Sequence, residues 1–106
     1  MEEFMKGDIV VIPFPFSDLS ATKKRPALVI AKLTGNDLIL VQITSVIHSD
    51  DYAVLLEQKN FIDGGLNQRS WIRPNKIFTA DVSLISSKIG KINNLKTGEV
   101  VQRLLK

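Results

Sequence analysis

The chain has 106 residues, of which 44% are hydrophobic and 24% are charged, and its net charge is +3. This length is enough for one globular domain over residues 1–106 and too short for two independent cores. Zero cysteines exclude disulfides, thiolate metal sites and cysteine nucleophiles, and the single histidine excludes His-rich metal sites. No apolar stretch comes near the roughly 20 residues that cross a bilayer, and no secretory signal opens the chain, so we expect a cytoplasmic protein with no membrane partner.

The first half of the chain predicts four strands separated by polar turns. Residues 9–12 are four consecutive β-branched side chains, which is typical of a strand covered on both faces. Pro13 and Pro15 cannot donate to a ladder, so this strand should end there or run along an edge. Residues 16–24 are small and polar and predict a long loop. The predicted strands span residues 7–14, 27–31, 38–46 and 52–56.

The second half predicts further short strands and one helix. Residues 67–73 alternate, which places Arg69, Trp71 and Arg73 on one strand face. Residues 77–79 and 83–92 read as short strands or turns, and Val100, Val101, Leu104 and Leu105 recur with helical spacing in a helix that starts at Asn94 or Thr97. Because strands dominate and no βαβ alternation occurs, the fold class is mainly β, a small antiparallel barrel or sheet with a short C-terminal helix.

The charge is unevenly distributed along the chain. Residues 1–68 carry 6 basic and 9 acidic side chains, whereas residues 69–106 carry 8 basic and 2 acidic ones. Such an asymmetry indicates one face that could meet phosphates. The alternative is that these lysines only solvate a C-terminal edge and helix; they are Lys88, Lys91, Lys96 and Lys106.

Several catalytic chemistries lack the necessary residues. A Ser-His-Asp relay could only use His48, and no serine lies in a nucleophile-elbow pattern. His48 with Asp50 and Asp51 forms a conceivable metal trio, but its spacing suits a turn better, so we predict no metal site. No glycine-rich stretch joins a strand to a helix, which excludes the common nucleotide fingerprints.

Cations and hydroxyl groups are the more informative candidates. Lys23 and Lys24 precede Arg25, and Pro26 favours an extended backbone at Arg25, whose guanidinium could then clamp a phosphate. Residues 42–45 end the third strand with amide and hydroxyl groups, and Trp71 between two arginines is a plausible stacking platform for unpaired bases. Each candidate has a structural alternative: Arg25 paired with Asp18, Thr44 as a strand-end hydroxyl, and Trp71 in the core.

These segments together resemble the MazF/PemK family, the toxins of bacterial type II toxin–antitoxin pairs. The resemblance extends over almost the whole chain, and it is more specific than any single motif because three blocks occur in the family's order and spacing. The blocks are GDIV at 7–10 with PFPFSD at 13–18 and KRPALVI at 24–30, then QITS at 42–45, then IRPNKIFT at 72–79 followed by Asp81, 83–85 and 88–90.

The resemblance implies a half-open antiparallel β-barrel of the plasmid-toxin type, a homodimer, and sequence-selective cleavage of single-stranded RNA without a metal or other cofactor. By position, Arg25 matches the arginine of the family's RPxLV motif and Thr44 its catalytic threonine or serine. Members with an acidic residue two positions after the arginine at 73 have a candidate general base there, whereas this chain has Asn75. From the residues and the resemblance together, we expect the RNA-binding residues to be Lys23, Lys24, Gln42, Ser45, Trp71, Arg73 and Asn75.

One protein partner and one rival function accompany this interpretation. A cationic, partly apolar groove predicts an antitoxin with an acidic-hydrophobic segment that orders on binding. The rival is a barrel that binds nucleic acid or protein without chemistry, such as a gyrase-inhibiting toxin, and Asn75 is the feature that favours it. A gyrase poison has no need of Arg25 and Thr44, so their presence favours the ribonuclease.

Overall fold

The computed structural model describes residues 3–15, 22–46 and 50–105, and within them the chain is built mainly from strands. The helix α1 closes the described part of the chain, and two 3-10 turns lie at Gln58–Asn60 and Val82–Leu84. None of the described helices has the length and apolarity that crossing a membrane requires. The elements are β1 (Asp8–Pro15), β2 (Thr22–Lys32), β3 (Asp37–Thr44), β4 (Val54–Leu56), β5 (Phe61–Gly64), β6 (Ser70–Asp81), β7 (Ser87–Ile92) and α1 (Asn94–Leu104).

All seven strands form one antiparallel sheet in the order β4-β6-β3-β2-β1-β7-β5. The sheet curls into a half-barrel, so the predicted fold class is confirmed. Its two edges are the shortest strands, β4 and β5, which limits the length of unpaired backbone.

The central strands are buried on both faces, as the run of β-branched residues in β1 predicts. Ile9 and Val10 are both fully buried but belong to different clusters, because successive side chains of a strand point to opposite faces. The first cluster includes Val100 of α1, with Leu104 packed against it; its other members are Ile9, Leu28, Val41, Ile43, Val54, Leu56, Ile72 and Ile92. The second cluster contains Phe4, Val10, Ile12, Ala27, Val29, Leu38, Leu40 and Ala80.

The helix begins one residue after its cap. The Asn93 side chain accepts a hydrogen bond from the backbone N–H of Lys96 at 2.8 Å, which satisfies one of the donors left open at a helix start. The hydroxyl of Thr97 donates to the Asn93 carbonyl at 3.0 Å. Of the two predicted starts, Asn94 is therefore correct.

Several predicted strand boundaries are wrong: β3 ends at Thr44, β4 begins at Val54, and residues 77–79 belong to β6. Two further differences bear on the site. β2 begins at Thr22 rather than residue 27, because β1 continues far enough to pair Pro13 with Lys24 and Phe14 with Lys23. β6 begins at Ser70, so Arg69 lies outside the strand, where its Nη2 pairs with Glu57 at 3.2 Å. The predicted row of Arg69, Trp71 and Arg73 is thus reduced to its last two members.

Part of the basic excess of the second half neutralises one buried acid. The side chain of Asp8 is 2% exposed, and its carboxylate lies 3.6 Å from the Lys88 ammonium and 3.4 Å from that of Lys91. The Met5 backbone N–H donates to the same carboxylate at 2.8 Å. Lys96 pairs with Glu99. Lys88 and Lys91 therefore stabilise the fold rather than only solvating an edge, whereas the Lys96 pair is local to α1. Lys106 lies outside the described residues.

Candidate functional site

One face of the sheet collects most of the polar candidates. In the antiparallel ladder between β3 and β6, Gln42 lies opposite Arg73 and Thr44 lies opposite Trp71. Residues directly opposite one another share a face, so these four side chains form a two-by-two group. On the other side of β3, Gln42 pairs with Ala27 of β2. Continuing that register by two residues places Arg25 beside Thr44.

A cavity of about 270 Å³ opens where β2 begins and β3 ends. We call it the Arg25 cavity. It brings together five of the predicted site residues: Lys23, Lys24, Arg25, Thr44 and Ser45. It does not include Gln42, Trp71, Arg73 or Asn75. Its remaining lining residues are Pro26, Ile43, Leu66, Asn67, Gln68 and Ser70.

The cationic side of the Arg25 cavity comes from β2. Lys23 and Lys24 are exposed, whereas Arg25 is partly buried and already engaged in an interaction within the protein. Pro26 follows Arg25 and lies opposite Val11 of β1, one residue beyond the last pairing of β2 with β3. The N–H that Pro26 lacks therefore costs no hydrogen bond to β3. The proline ring also keeps the backbone at Arg25 extended. The predicted partner Asp18 lies outside the described residues.

The Thr44 hydroxyl is held in place by a local turn. Thr44 is 9% exposed. Its Oγ1 donates to the Val46 carbonyl at 2.9 Å and accepts from the Val46 backbone N–H at 3.2 Å. A hydroxyl has one donor and two acceptor positions, so donation to a bound phosphate requires it to leave the Val46 carbonyl. Ser45, the next residue, is exposed.

Trp71 is partly buried and belongs to neither buried cluster. The packing therefore does not support the alternative that Trp71 is simply a core residue. Its position opposite Thr44 places an aromatic ring on the same face as the hydroxyl. An indole that is partly exposed beside polar groups can stack on a planar ligand.

Arg73 lies on the same face but is already ion-paired. Its Nε donates to Asp50 Oδ2 at 2.9 Å, with the two side chains 27% and 4% exposed. Desolvation raises the pKa of Asp50, but hydrogen bonds from the Tyr52 backbone and from Arg73, with the charge of Arg73, outweigh it and hold the pKa below its usual value. Asp50 is therefore ionised at neutral pH.

Asn75 stands apart from Arg73 because a bulge interrupts β6. Val41 lies opposite Ile77 and the next residue, Gln42, lies opposite Arg73, so three residues of β6 have no counterpart on β3. Pro74 is one of them, and a proline inside a sheet is accommodated at such a bulge. Asn75 is exposed there, and the regular alternation that would place it on the Arg73 face is lost.

Two contributors to the site were missed by sequence reasoning. Asn67 and Gln68 line the Arg25 cavity and also an adjoining cavity of about 240 Å³ that contains Phe61 and Arg69. The sequence signal for them is an amide pair that follows the Gly64-Gly65 turn after one intervening residue, Leu66. The sequence pattern places Asp50 only in the metal trio with His48, which lies outside the described residues. Among the described residues, no three acidic or histidine side chains form a metal-binding group.

The fold and the cationic cavity together define a small antiparallel half-barrel with an arginine and a threonine at the ends of adjacent strands. Residues 5–106 match the model of the family of PemK-like and MazF-like toxins of type II toxin–antitoxin systems, and the chain belongs to that family. The resemblance drawn from the sequence is therefore confirmed.

Solved structures agree with this assignment at the level of the fold. An endoribonuclease from a Mycobacterial species is 13% identical and superposes with a TM-score of 0.72, covering 98% of this chain and 89% of that chain. A MazE–MazF complex from Deinococcus radiodurans is 18% identical with a TM-score of 0.73, covering 94% and 91%. No curated protein matches the chain significantly by sequence.

Proposed function

We propose that this protein is the toxin of a type II toxin–antitoxin pair and acts in the cytoplasm as a metal-independent endoribonuclease on single-stranded RNA. The observation that carries the proposal is the Arg25 cavity, where Arg25 and Thr44 meet beside Lys23 and Lys24. Membership of the toxin family supports the biological role, and the similar fold of proteins named as endoribonucleases supports the chemistry.

RNA supplies its own nucleophile, which suits a site of this composition. The 2′ oxygen attacks the adjacent phosphorus, the bond to the 5′ oxygen breaks, and the products are a 2′,3′-cyclic phosphate and a 5′-hydroxyl. One proton leaves the 2′-OH and one is delivered to the departing 5′ oxygen. The protein has to hold the in-line geometry and stabilise the charge that develops on the phosphoryl oxygens.

Arg25 and Thr44 are assigned the central roles. A guanidinium is always protonated, so Arg25 acts as an electrostatic clamp on the phosphoryl oxygens rather than as a proton donor. The Thr44 hydroxyl hydrogen-bonds a phosphate oxygen or the 2′-OH. Lys23, Lys24 and Arg73 contact the backbone, Trp71 stacks a base, and Gln42, Ser45 and Asn75 complete the RNA-binding set.

The partners proposed are a second copy of the chain and an antitoxin. One solved structure of similar fold is an endoribonuclease in complex with its cognate antitoxin, 13% identical and with a TM-score of 0.71. Exposed Lys23 and Lys24 beside Pro26 and Leu66 form a cationic and partly apolar surface. An acidic-hydrophobic antitoxin segment that orders on binding would complement it.

The experiment is incubation of the purified protein with a long single-stranded RNA in excess EDTA, with the product ends mapped. Arg25→Ala is compared with Lys32→Ala, which removes an exposed cation from the opposite end of the same strand. We expect discrete cuts with cyclic-phosphate ends, a rate at least about 100-fold lower in Arg25→Ala, and no change in Lys32→Ala.

Two results would contradict the proposal. Cutting by Arg25→Ala at the parent rate would show that the site assignment is wrong. Intact RNA throughout a pool rich in sequence motifs would favour the barrel that binds without chemistry.

A further inference from the structure

Asp50 is a buried carboxylate that the proposed chemistry does not use. Its side chain is 4% exposed, and Oδ2 lies 2.9 Å from Nε of Arg73, 23 residues further along the chain. A carboxylate removed from water in this way is stable only when its charge is matched by partners. Arg73 is the charged partner that matches Asp50.

The backbone fixes the position of Asp50. Oδ1 accepts a hydrogen bond from the Tyr52 N–H at 3.0 Å, and the Asp50 carbonyl accepts from the Ala53 N–H at 3.4 Å. This turn leads directly into β4, where Val54 lies opposite Ile72. Continuing that register by one residue places Ala53 opposite Arg73, so the turn holds the carboxylate beside the arginine.

The hydrogen bond to Asp50 occupies one edge of a planar group. A guanidinium has five N–H donors, and the bond through Nε leaves the four on the terminal nitrogens to other partners. Arg73 lies opposite Gln42 and diagonally across from Thr44. Diagonal neighbours in a ladder are within reach of long side chains, so a phosphate beside Thr44 is also within reach of Arg73.

Asn75 cannot act as a general base, and Asp50 is poorly suited to replace it in that role. Both of its oxygens accept hydrogen bonds within the protein, and almost none of it contacts solvent. The same hydrogen bonds lower its pKa, which weakens it as a proton acceptor. Asp50 can therefore contribute only through its partner, Arg73.

We propose that Asp50 is a positioning residue that fixes the plane of the Arg73 guanidinium so that its terminal nitrogens bind a backbone phosphate of the RNA. The proposal rests on the proposed function, since it names the ligand of that site as an RNA phosphate. Arg73 then contributes to the affinity for RNA through a preformed geometry rather than through its charge alone.

If Asp50 positions Arg73, Asp50→Asn changes the affinity for RNA in the opposite direction to the one that net charge alone predicts. Asp50→Asn makes the protein more positive by one charge, which by long-range attraction alone would strengthen binding of RNA. If Asp50 positions Arg73, the same substitution weakens binding instead. The asparagine keeps an oxygen for the Tyr52 N–H, so the turn is retained.

The test measures both binding and cleavage. Binding of a fluorescent 2′-O-methyl RNA oligonucleotide, which lacks the nucleophile, is followed by anisotropy, and KM and kcat are obtained on RNA. The variants are Asp50→Asn, Asp50→Glu, Arg73→Ala and the double variant Asp50→Asn/Arg73→Ala. Asp51→Asn is the matched control, because Asp51 is the exposed neighbour.

We expect Asp50→Asn to raise Kd and KM about tenfold with kcat little changed, because a contact present in the bound ground state is lost. Arg73→Ala should do the same, and the double variant should bind no worse than Arg73→Ala, because Asp50 acts only through Arg73. Asp50→Glu, which keeps the charge but moves it by one methylene, should also weaken binding. Asp51→Asn should not.

Unchanged or tighter binding by Asp50→Asn would overturn the inference, as would an additive loss in the double variant, which indicates a general structural defect. If Asp50→Asn does not fold, the Asp50→Glu result decides in the same way. A parent protein that cuts no RNA contradicts the proposed function alone, since the binding measurements still decide whether Asp50 positions Arg73.

Discussion

Thr44 and Trp71 lie opposite each other across β3 and β6, which places a hydroxyl and an indole on one face at the end of the ladder. A single-stranded nucleic acid presents phosphates and the faces of unpaired bases in alternation, and in the proposed complex this pair offers a partner for each. The relationship depends on register, because a slip of one residue would turn Trp71 to the other face of the sheet.

Removing the Thr44 hydroxyl should reduce cleavage more than it reduces stability. Thr44→Val keeps the shape, loses the contact proposed for the phosphate or 2′-OH, and should lower the rate by about 100-fold, the size of effect expected for one oxyanion donor. Loss of its turn hydrogen bonds should cost about 1 kcal/mol. Single-turnover cleavage and urea unfolding measure the two effects. Thr44→Ser should restore most activity, and failure to do so would argue against a role of the hydroxyl.

Trp71 should report RNA binding by its own fluorescence. It is the only tryptophan in the chain, and it is partly exposed on the proposed RNA face. Stacking of a base should quench its emission, and Trp71→Ala should weaken binding by about 1–3 kcal/mol, the usual range for one base on one aromatic ring. Trp71→Phe should lose the signal but retain most of the affinity. Saturable binding without quenching would show that the ring is not a stacking platform.

The Asp50–Arg73 pair should make stability sensitive to acid. Because the folded-state pKa of Asp50 is lower than in the unfolded chain, the pair stabilises the fold above the unfolded pKa of about 3.9, and the contribution is lost as the pH falls through the folded pKa. Asp50→Asn should therefore be less stable than the parent at pH 7, and the difference should shrink in acid. Denaturant unfolding across that range measures it. A difference that stays constant with pH would contradict the assignment.

Asp8 should matter for stability and not for RNA. Asp8→Ala removes the acceptor of the Met5 N–H and separates Lys88 and Lys91 from their counter-ion, which should cost about 2 kcal/mol of unfolding free energy. Cleavage measured well below the melting temperature should equal that of the parent. A selective loss of activity in a stable variant would mean that this cluster belongs to the site.

The sequence could predict the elements whose signal is local. The β-branched run of β1 predicts its burial on both faces, and the helical spacing of Val100 and Leu104 predicts α1. The start of β2 could not be predicted in this way, because Lys23 and Lys24 are strand residues only through their pairing with β1.

Only part of the candidate site could be predicted from the sequence. Lys23, Lys24, Arg25, Thr44 and Ser45 meet in one cavity, as neighbouring strand ends do. The position of Asn75 depends on the bulge at Pro74, and the partnership of Arg73 depends on a loop residue 23 positions away. Neither leaves a periodic trace in the sequence, since both arise only when distant segments pack.

The pairing of β1 with β7 has a consequence during synthesis of the protein. Asp8 and its partner Lys91 are 83 residues apart, so β1 has no neighbour on that side until nearly the whole chain has left the ribosome. Long-range pairing of this kind forms late in folding. The side of β1 that faces β7 therefore acquires Lys88 and Lys91, the counter-ions of the buried Asp8 carboxylate, only after β2 to β6 have been made.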